Sequence, residues 1–82
     1  MMEMYQFDLI RREKDGRFAF GVRILSGGSV FREYPCISSD EEEAVRLRRR
    51  LACGDLSPVH FDDVVRDFIL EQAYEKIEKN HL

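Results

Sequence analysis

The feature that most constrains this chain is a change of period: apolar residues alternate in twos before Pro35 and recur every third or fourth position after Ser39. Over Met4 to Glu13, Tyr5, Phe7 and Leu9 fall on one side and Gln6, Asp8 and Arg12 on the other, the pattern of a strand with one buried face. Asp15-Gly16 follows, and a second alternating segment carries Phe18, Phe20, Val22 and Ile24. Asp-Gly between two such segments predicts a two-residue type I′ turn, because both central positions need a positive φ that glycine adopts freely and aspartate tolerates. That turn sets Leu9 opposite Val22, Phe7 opposite Ile24 and Arg11 opposite Phe20, so the two apolar faces coincide. A slip of one residue would turn one of them into water.

Ser26-Gly27-Gly28-Ser29 predicts a second turn, and Val30-Phe31-Arg32-Glu33-Tyr34 a third strand that either ends at Pro35, which lacks a ladder donor, or lies at an edge. Its register stays open. A two-residue Gly-Gly loop sets Ile24 opposite Phe31 but Arg23 opposite Arg32, a like-charge pair, whereas a three-residue loop turns Val30 and Tyr34 to the core.

After Pro35 the signals are helical. Ser39 is the expected cap of a first helix, with Glu42 completing an S-x-x-E box and four acids, Asp40 to Glu43, at the positive end of the dipole. Ala44, Leu47 and Leu51 form its inner stripe, Val45 and Ala52 its margin, and Gly54 its stop. Ser57 is the expected cap of a second helix, with Pro58 at its first position and Leu56 and Phe61 as a hydrophobic staple. Phe61, Val64, Val65, Phe68 and Ile69 form its core stripe, and its last turns extend past the core.

Composition narrows the class. With 82 residues, 44 % of them apolar and 35 % charged, the chain makes one core and one domain and avoids the charge-rich, aromatic-poor balance of disordered chains. No apolar run approaches the roughly 20 residues of a membrane helix. Glu3 and Asp8 stand where a secretory signal would be basic, so the expected compartment is the cytoplasm. Cys36 and Cys53 lack C-x-x-C spacing and read as small hydrophobes of a reducing compartment.

Candidate sites are sparse. Arg46, Arg48, Arg49 and Arg50 make the densest charge run, yet from Asp40 to Arg50 four acids balance four arginines, and Glu42 and Glu43 lie one turn before Arg46, placed to pair with it. Arg46, Arg49 and Arg50 occupy the outer face, where they could contact phosphates. Arg48 falls between Ala44 and Ala52 on the inner side and must snorkel, pair or meet a partner. From Asp55 onward seven acids face three basic residues, which argues against phosphate contact by that segment. His60 and His81 do not have metal-ligand spacing, Asp62, Asp63 and Asp67 do not have EF-hand spacing, and the Gly27-Gly28 turn lacks the helix of a phosphate loop. No catalytic, cofactor or metal set is assigned. Leu70, Tyr74 and Ile77 recur at helical spacing opposite the Phe61 stripe. One helix face cannot bury both sets, so the second needs a partner, a return of Met1 to Met4, or exposure.

The stretch Leu56-Ser57-Pro58-Val59-His60-Phe61-Asp62-Asp63-Val64-Val65-Arg66-Asp67-Phe68, preceded by Ile37-Ser38-Ser39-Asp40, resembles a family of small uncharacterised proteins of mostly Gram-positive bacteria, classed as a domain of unknown function. That resemblance implies a bacterial cytosolic protein and carries no activity, ligand or site residue.

The expected fold is therefore α+β: an antiparallel three-stranded meander over residues 1–37, then helices over 38–54 and 57–79 packed on one face (βββαα). The expected role is a non-enzymatic protein-interaction or regulatory module, with a protein partner or a second copy on Leu70, Tyr74 and Ile77. The alternative is a nucleic-acid-binding module using Arg46, Arg49 and Arg50.

Overall fold

The structure is a computed structural model that describes residues 4–53 and 57–79. Three strands, β1 (Tyr5–Lys14), β2 (Arg17–Ser26) and β3 (Ser29–Ser38), form an antiparallel meander in the order β1-β2-β3. Two helices follow, α1 (Glu41–Cys53) and α2 (Phe61–Lys79), with one 3-10 turn at Pro58–His60 leading into α2. This is the α+β architecture that the change of period predicts.

Asp15 and Gly16 take φ of 55° and 76°, so the first turn is left-handed at both positions. The register it sets, Leu9 with Val22, Phe7 with Ile24 and Arg11 with Phe20, holds without a shift over all of β1. Gly27 and Gly28 also have positive φ, and their turn closes Ser26 on Ser29. The second register resolves in an unforeseen way. The loop has two residues, but one irregularity between Ile24 and Leu25 then moves Arg32 opposite Ile24 and Glu33 opposite Arg23. The bulge replaces a like-charge pair with an ion pair, Arg23 Nε to Glu33 Oε2 at 3.2 Å, and it turns Phe31 and Tyr34 to the core while Val30 stays exposed.

β3 does not end at Pro35. A second irregularity leaves Pro35, Cys36 and Ile37 facing Gly21 alone, between the pairs Val22–Tyr34 and Phe20–Ser38. Proline is tolerated because it sits in a bulge of an edge strand, where a missing N–H costs no ladder bond. A side chain at Gly21 would not be tolerated: a Cβ there would lie 2.0 Å from the Tyr34 carbonyl oxygen and 2.6 Å from the Pro35 carbonyl carbon. The bend carries Ser38 to the start of α1.

The cap of α1 is Asp40 rather than Ser39. Asp40 Oδ1 accepts the Glu42 N–H at 3.0 Å, and Ser38 Oγ accepts the Asp40 N–H at 3.0 Å while its hydroxyl donates to Glu43 Oε2. Ser57 makes no side-chain cap. Its carbonyl accepts the His60 N–H at 2.9 Å in the 3-10 turn that Pro58 opens, so the entry to α2 rests on backbone and proline geometry. The expected stop at Gly54 and the Leu56 half of the staple lie outside the described residues.

The core is Val22 and Ile24 from the central strand, Leu47 and Leu51 from α1, and Phe61, Val65 and Phe68 from α2. Phe61 is its keystone. Its ring meets those of Tyr5, Phe7 and Phe31 edge-on, with centroids 5.5, 5.8 and 6.3 Å away. Both sheet edges and α2 thus converge on one side chain. Three expected core residues lie at the margin instead: Leu9 and Phe20 are only half-buried, and Ile69 is 42 % exposed. Phe20 stacks on Phe18 towards the hairpin tip, where the Arg11 guanidinium lies 4.6 Å from the Phe18 centroid, beyond the cover of the helices. Ile10 is buried although it belongs to the opposite face, where its register partner is the side-chain-free Gly21.

Candidate interaction surface

Helix α2 contributes to the core only through its first eight residues; from Ile69 onward no described side chain is buried. The reason lies in its sequence, which repeats apolar residues on two opposite sides. With about 100° between successive residues, Phe61, Val65 and Phe68 share one face, while Leu70, Tyr74 and Ile77 lie roughly half a turn away. In the structure those three are 58, 70 and 60 % exposed. Met4 is exposed as well, so it does not cover them, and Met1 to Glu3 lie outside the described residues. Leu70 and Tyr74 form a shallow depression with Asp67 and Glu71. The ridge is therefore apolar at its crest and acidic along one side.

The arginines do not form a single cluster. Arg50 turns to α2, with Nη1 3.2 Å from Glu71 Oε2 and its guanidinium 5.4 Å from the Phe68 centroid, so it ties the two helices together. Arg46 and Arg49 are exposed and make no ion pair among the described residues. The expected pairing of Arg46 with Glu42 or Glu43 is not present, and Glu43 is bound to Ser38 instead. Arg46 and Arg49 nevertheless share a shallow surface groove with Glu41 and Glu42, whose carboxylates weaken any pull on phosphate. Arg48 is half-buried and makes no ion pair among the described residues. On the open face of the sheet, Glu33 bridges Arg12 and Arg23 at 3.0 and 3.2 Å, so that face is a mixed surface rather than a basic one.

Sequence reading missed one polar cluster. The Tyr34 hydroxyl donates to Asp62 at the start of α2, and Arg32 Nε lies 3.9 Å from the same carboxylate. Tyr34 and Arg32 alternate along β3 while Asp62 follows in another element, so only the tertiary fold brings them together. Burial, then the hydrogen bond to Asp62 and its negative charge, raise the Tyr34 pKa well above its ordinary 10.0, with Arg32 opposing. The folded state thus holds its phenol proton at a pH where the unfolded chain releases it. The stabilisation is complete below pH 10 and is lost as pH rises through the folded value. Tyr34→Phe should cost about 0.5–1.5 kcal/mol near neutral pH. Its deficit should shrink in strongly alkaline solution, as read by urea unfolding; a deficit that grows there would contradict the assignment.

Cys36 and Cys53 are free rather than joined in a disulfide, and both are exposed: one sits in the β3 bend and the other at the last residue of α1. His60 is a surface residue with Nδ1 3.7 Å from Asp63 Oδ2, and His81 lies outside the described residues. Among the described residues no group of three or more His, Cys, Asp or Glu is placed to hold a metal ion, and no helix is long and apolar enough to cross a membrane.

The fold and these surfaces define a class: a small two-layer α+β domain whose most distinctive feature is an uncovered apolar helix ridge. Within that class, the chain belongs to a family of unknown function (DUF6514), whose model matches residues 3–71. The match takes in the three strands, α1 and α2 as far as Glu71, so Tyr74 and Ile77 lie beyond it. No curated protein and no solved structure matches the chain.

Proposed function

We propose that the chain is a non-enzymatic protein-interaction or regulatory module of the bacterial cytoplasm, in mostly Gram-positive hosts. Its binding surface is the outer ridge of α2. The observation that carries this reading is the exposure of Leu70, Tyr74 and Ile77 together, a contiguous apolar strip on a helix whose other face fills the core. Asp67 and Glu71 beside the strip select a partner with apolar side chains flanked by lysine or arginine. A helix laid along the ridge with anchors at three- and four-residue spacing would fit it.

The test is capture from the native host with the wild-type chain and with the double variant Tyr74→Asp, Ile77→Asp. Both positions are exposed, so the variant keeps the fold. A protein held by the wild type and lost from the double variant supports the reading, and identical capture by both overturns it. The nucleic-acid alternative rests on Arg46 and Arg49, which are exposed and unpaired among the described residues. Salt-sensitive retention of DNA or RNA that disappears with Arg46→Ala and Arg49→Ala would favour it over the protein reading.

A further inference from the structure

The sheet has two open edges, and they are unlike. β3 carries Pro35 and two register irregularities, the devices that keep an edge from recruiting another strand. β1 carries neither: its ten residues pair one for one with β2, and among the described residues no strand lies on its other side. A straight edge of that length presents a continuous row of backbone donors and acceptors.

Hairpin geometry fixes which residues face outward. A two-residue turn closes on a hydrogen-bonded pair, here Lys14 with Arg17, and pairs alternate from there. Lys14, Arg12, Ile10 and Asp8 therefore bond to β2, and the backbone groups of Glu13, Arg11, Leu9 and Phe7 point to the open edge.

We propose that a second copy of this chain pairs antiparallel along β1, centred on Ile10, and joins the two sheets into one. A two-fold axis normal to the sheet keeps both pairs of helices on the same side. It also sets Ile10 against the partner's Ile10, Leu9 against the partner's Arg11, Phe7 against the partner's Glu13, and Asp8 against the partner's Arg12. The charges select this register. Moving the centre by one residue in either direction slides the partner by two and keeps the faces aligned. Centred on Leu9, the pairing places Asp8 against the partner's Ile10; centred on Arg11, it places two arginines together. Centred on Ile10, it gives two symmetric carboxylate–guanidinium pairs on the open face. Both groups retain capacity there. Among the described residues Asp8 accepts only from the Gln6 side-chain amide, at 3.1 Å on Oδ1 and 3.4 Å on Oδ2, and Arg12 donates through Nη2 to Glu33 at 3.0 Å. The bridge Arg23–Glu33–Arg12 would then continue into the partner's Asp8 and run across the joined sheet.

This pairing is independent of the α2 ridge. Sedimentation of the full chain at high micromolar concentration should show a dimer. Asp8→Arg opposes cation to cation at both symmetric positions, and Arg12→Asp opposes carboxylate to carboxylate. Each variant should self-associate about tenfold or more weakly, since attractive cross-strand pairs become repulsive twice over. Mixed in equal amounts, the two variants should form a one-to-one heterodimer, because every facing pair is then of opposite charge. A monomeric wild type, a dimer that survives either single change, or a mixture that stays monomeric overturns the proposal. So does a dimer abolished by Tyr74→Asp and Ile77→Asp, which would place self-association on the ridge. Should either variant fail to fold, amide exchange of the wild type decides. The Leu9 and Arg11 N–H groups should gain protection as concentration rises, and concentration-independent exchange at both refutes the edge pairing.

Discussion

Phe61→Ala should remove about 3–5 kcal/mol of stability, the largest loss expected of any single truncation in this chain. A domain of this size holds roughly 0.05–0.15 kcal/mol per residue, about 4–12 kcal/mol in all, so the change removes a large share of its stability. The size of the effect follows from position. Phe61 is 2 % exposed and meets Tyr5 and Phe7 from β1 and Phe31 from β3, each ring nearly perpendicular to its own. Deleting it costs its transfer from water, three edge-to-face contacts of about 0.5–1.5 kcal/mol each at most, and a cavity that three rings anchored on a sheet cannot collapse to fill. Phe61→Leu should recover more than half of the loss. The measurement is the urea midpoint at unchanged slope, and a loss below about 1.5 kcal/mol for Phe61→Ala would show that the two layers are not held together at this ring.

Gly21→Ala should cost about 2–4 kcal/mol, an effect of close approach rather than of backbone freedom. The added methyl carbon would sit 2.0 Å from a carbonyl oxygen and 2.6 to 2.8 Å from two backbone atoms of Pro35, none of which is the yielding end of a side chain. β3 must lift away from β2 between Tyr34 and Ser38, and the hydroxyl of Ser38 that receives the Asp40 amide moves with it. Amide exchange should therefore speed up in β3 and in the first turn of α1 before it does in β1. Gly27→Ala is the control: its φ of 59° strains an alanine, yet nothing lies within 4 Å of the added carbon. It should cost only about 1–2 kcal/mol. Equal losses at the two positions would contradict the steric account.

The contrast between these glycines marks what was legible in the sequence. Gly16, Gly27 and Gly28 announce themselves because a turn is a local event, and the Asp15-Gly16 turn with its flanking alternation fixes the whole β1–β2 register. Gly21 sits unmarked in a strand, since its role depends on the carbonyl of Tyr34 arriving from across the sheet. The Arg23–Arg32 conflict was visible as a conflict, but its resolution by a bulge that substitutes Glu33 was not, because irregular pairing costs something that local patterning does not price. At the α1 cap the reading was off by one residue: Ser39 and Asp40 are both good caps by type, and it is Asp40 that accepts the Glu42 N–H. Of the candidate surfaces, the ridge of Leu70, Tyr74 and Ile77 was legible because helix geometry alone separates it from Phe61. The Tyr34–Asp62–Arg32 cluster was hidden because it joins a strand to a later helix. Within the arginine run, the contact of Arg50 with Glu71 and Phe68 was hidden for the same reason, because it joins two helices.

The confinement of α2's anchoring residues to its first eight positions makes this helix a cantilever. Its fixed end is set in the aromatic nest around Phe61, and at about 1.5 Å per residue the segment from Glu71 to Lys79 reaches some 12 Å past the strut to Arg50, its last support. Any load on that arm is borne as torque at Phe61, Val65 and the Arg50–Glu71 strut, so tension on the tip and melting of the core become one mechanical problem.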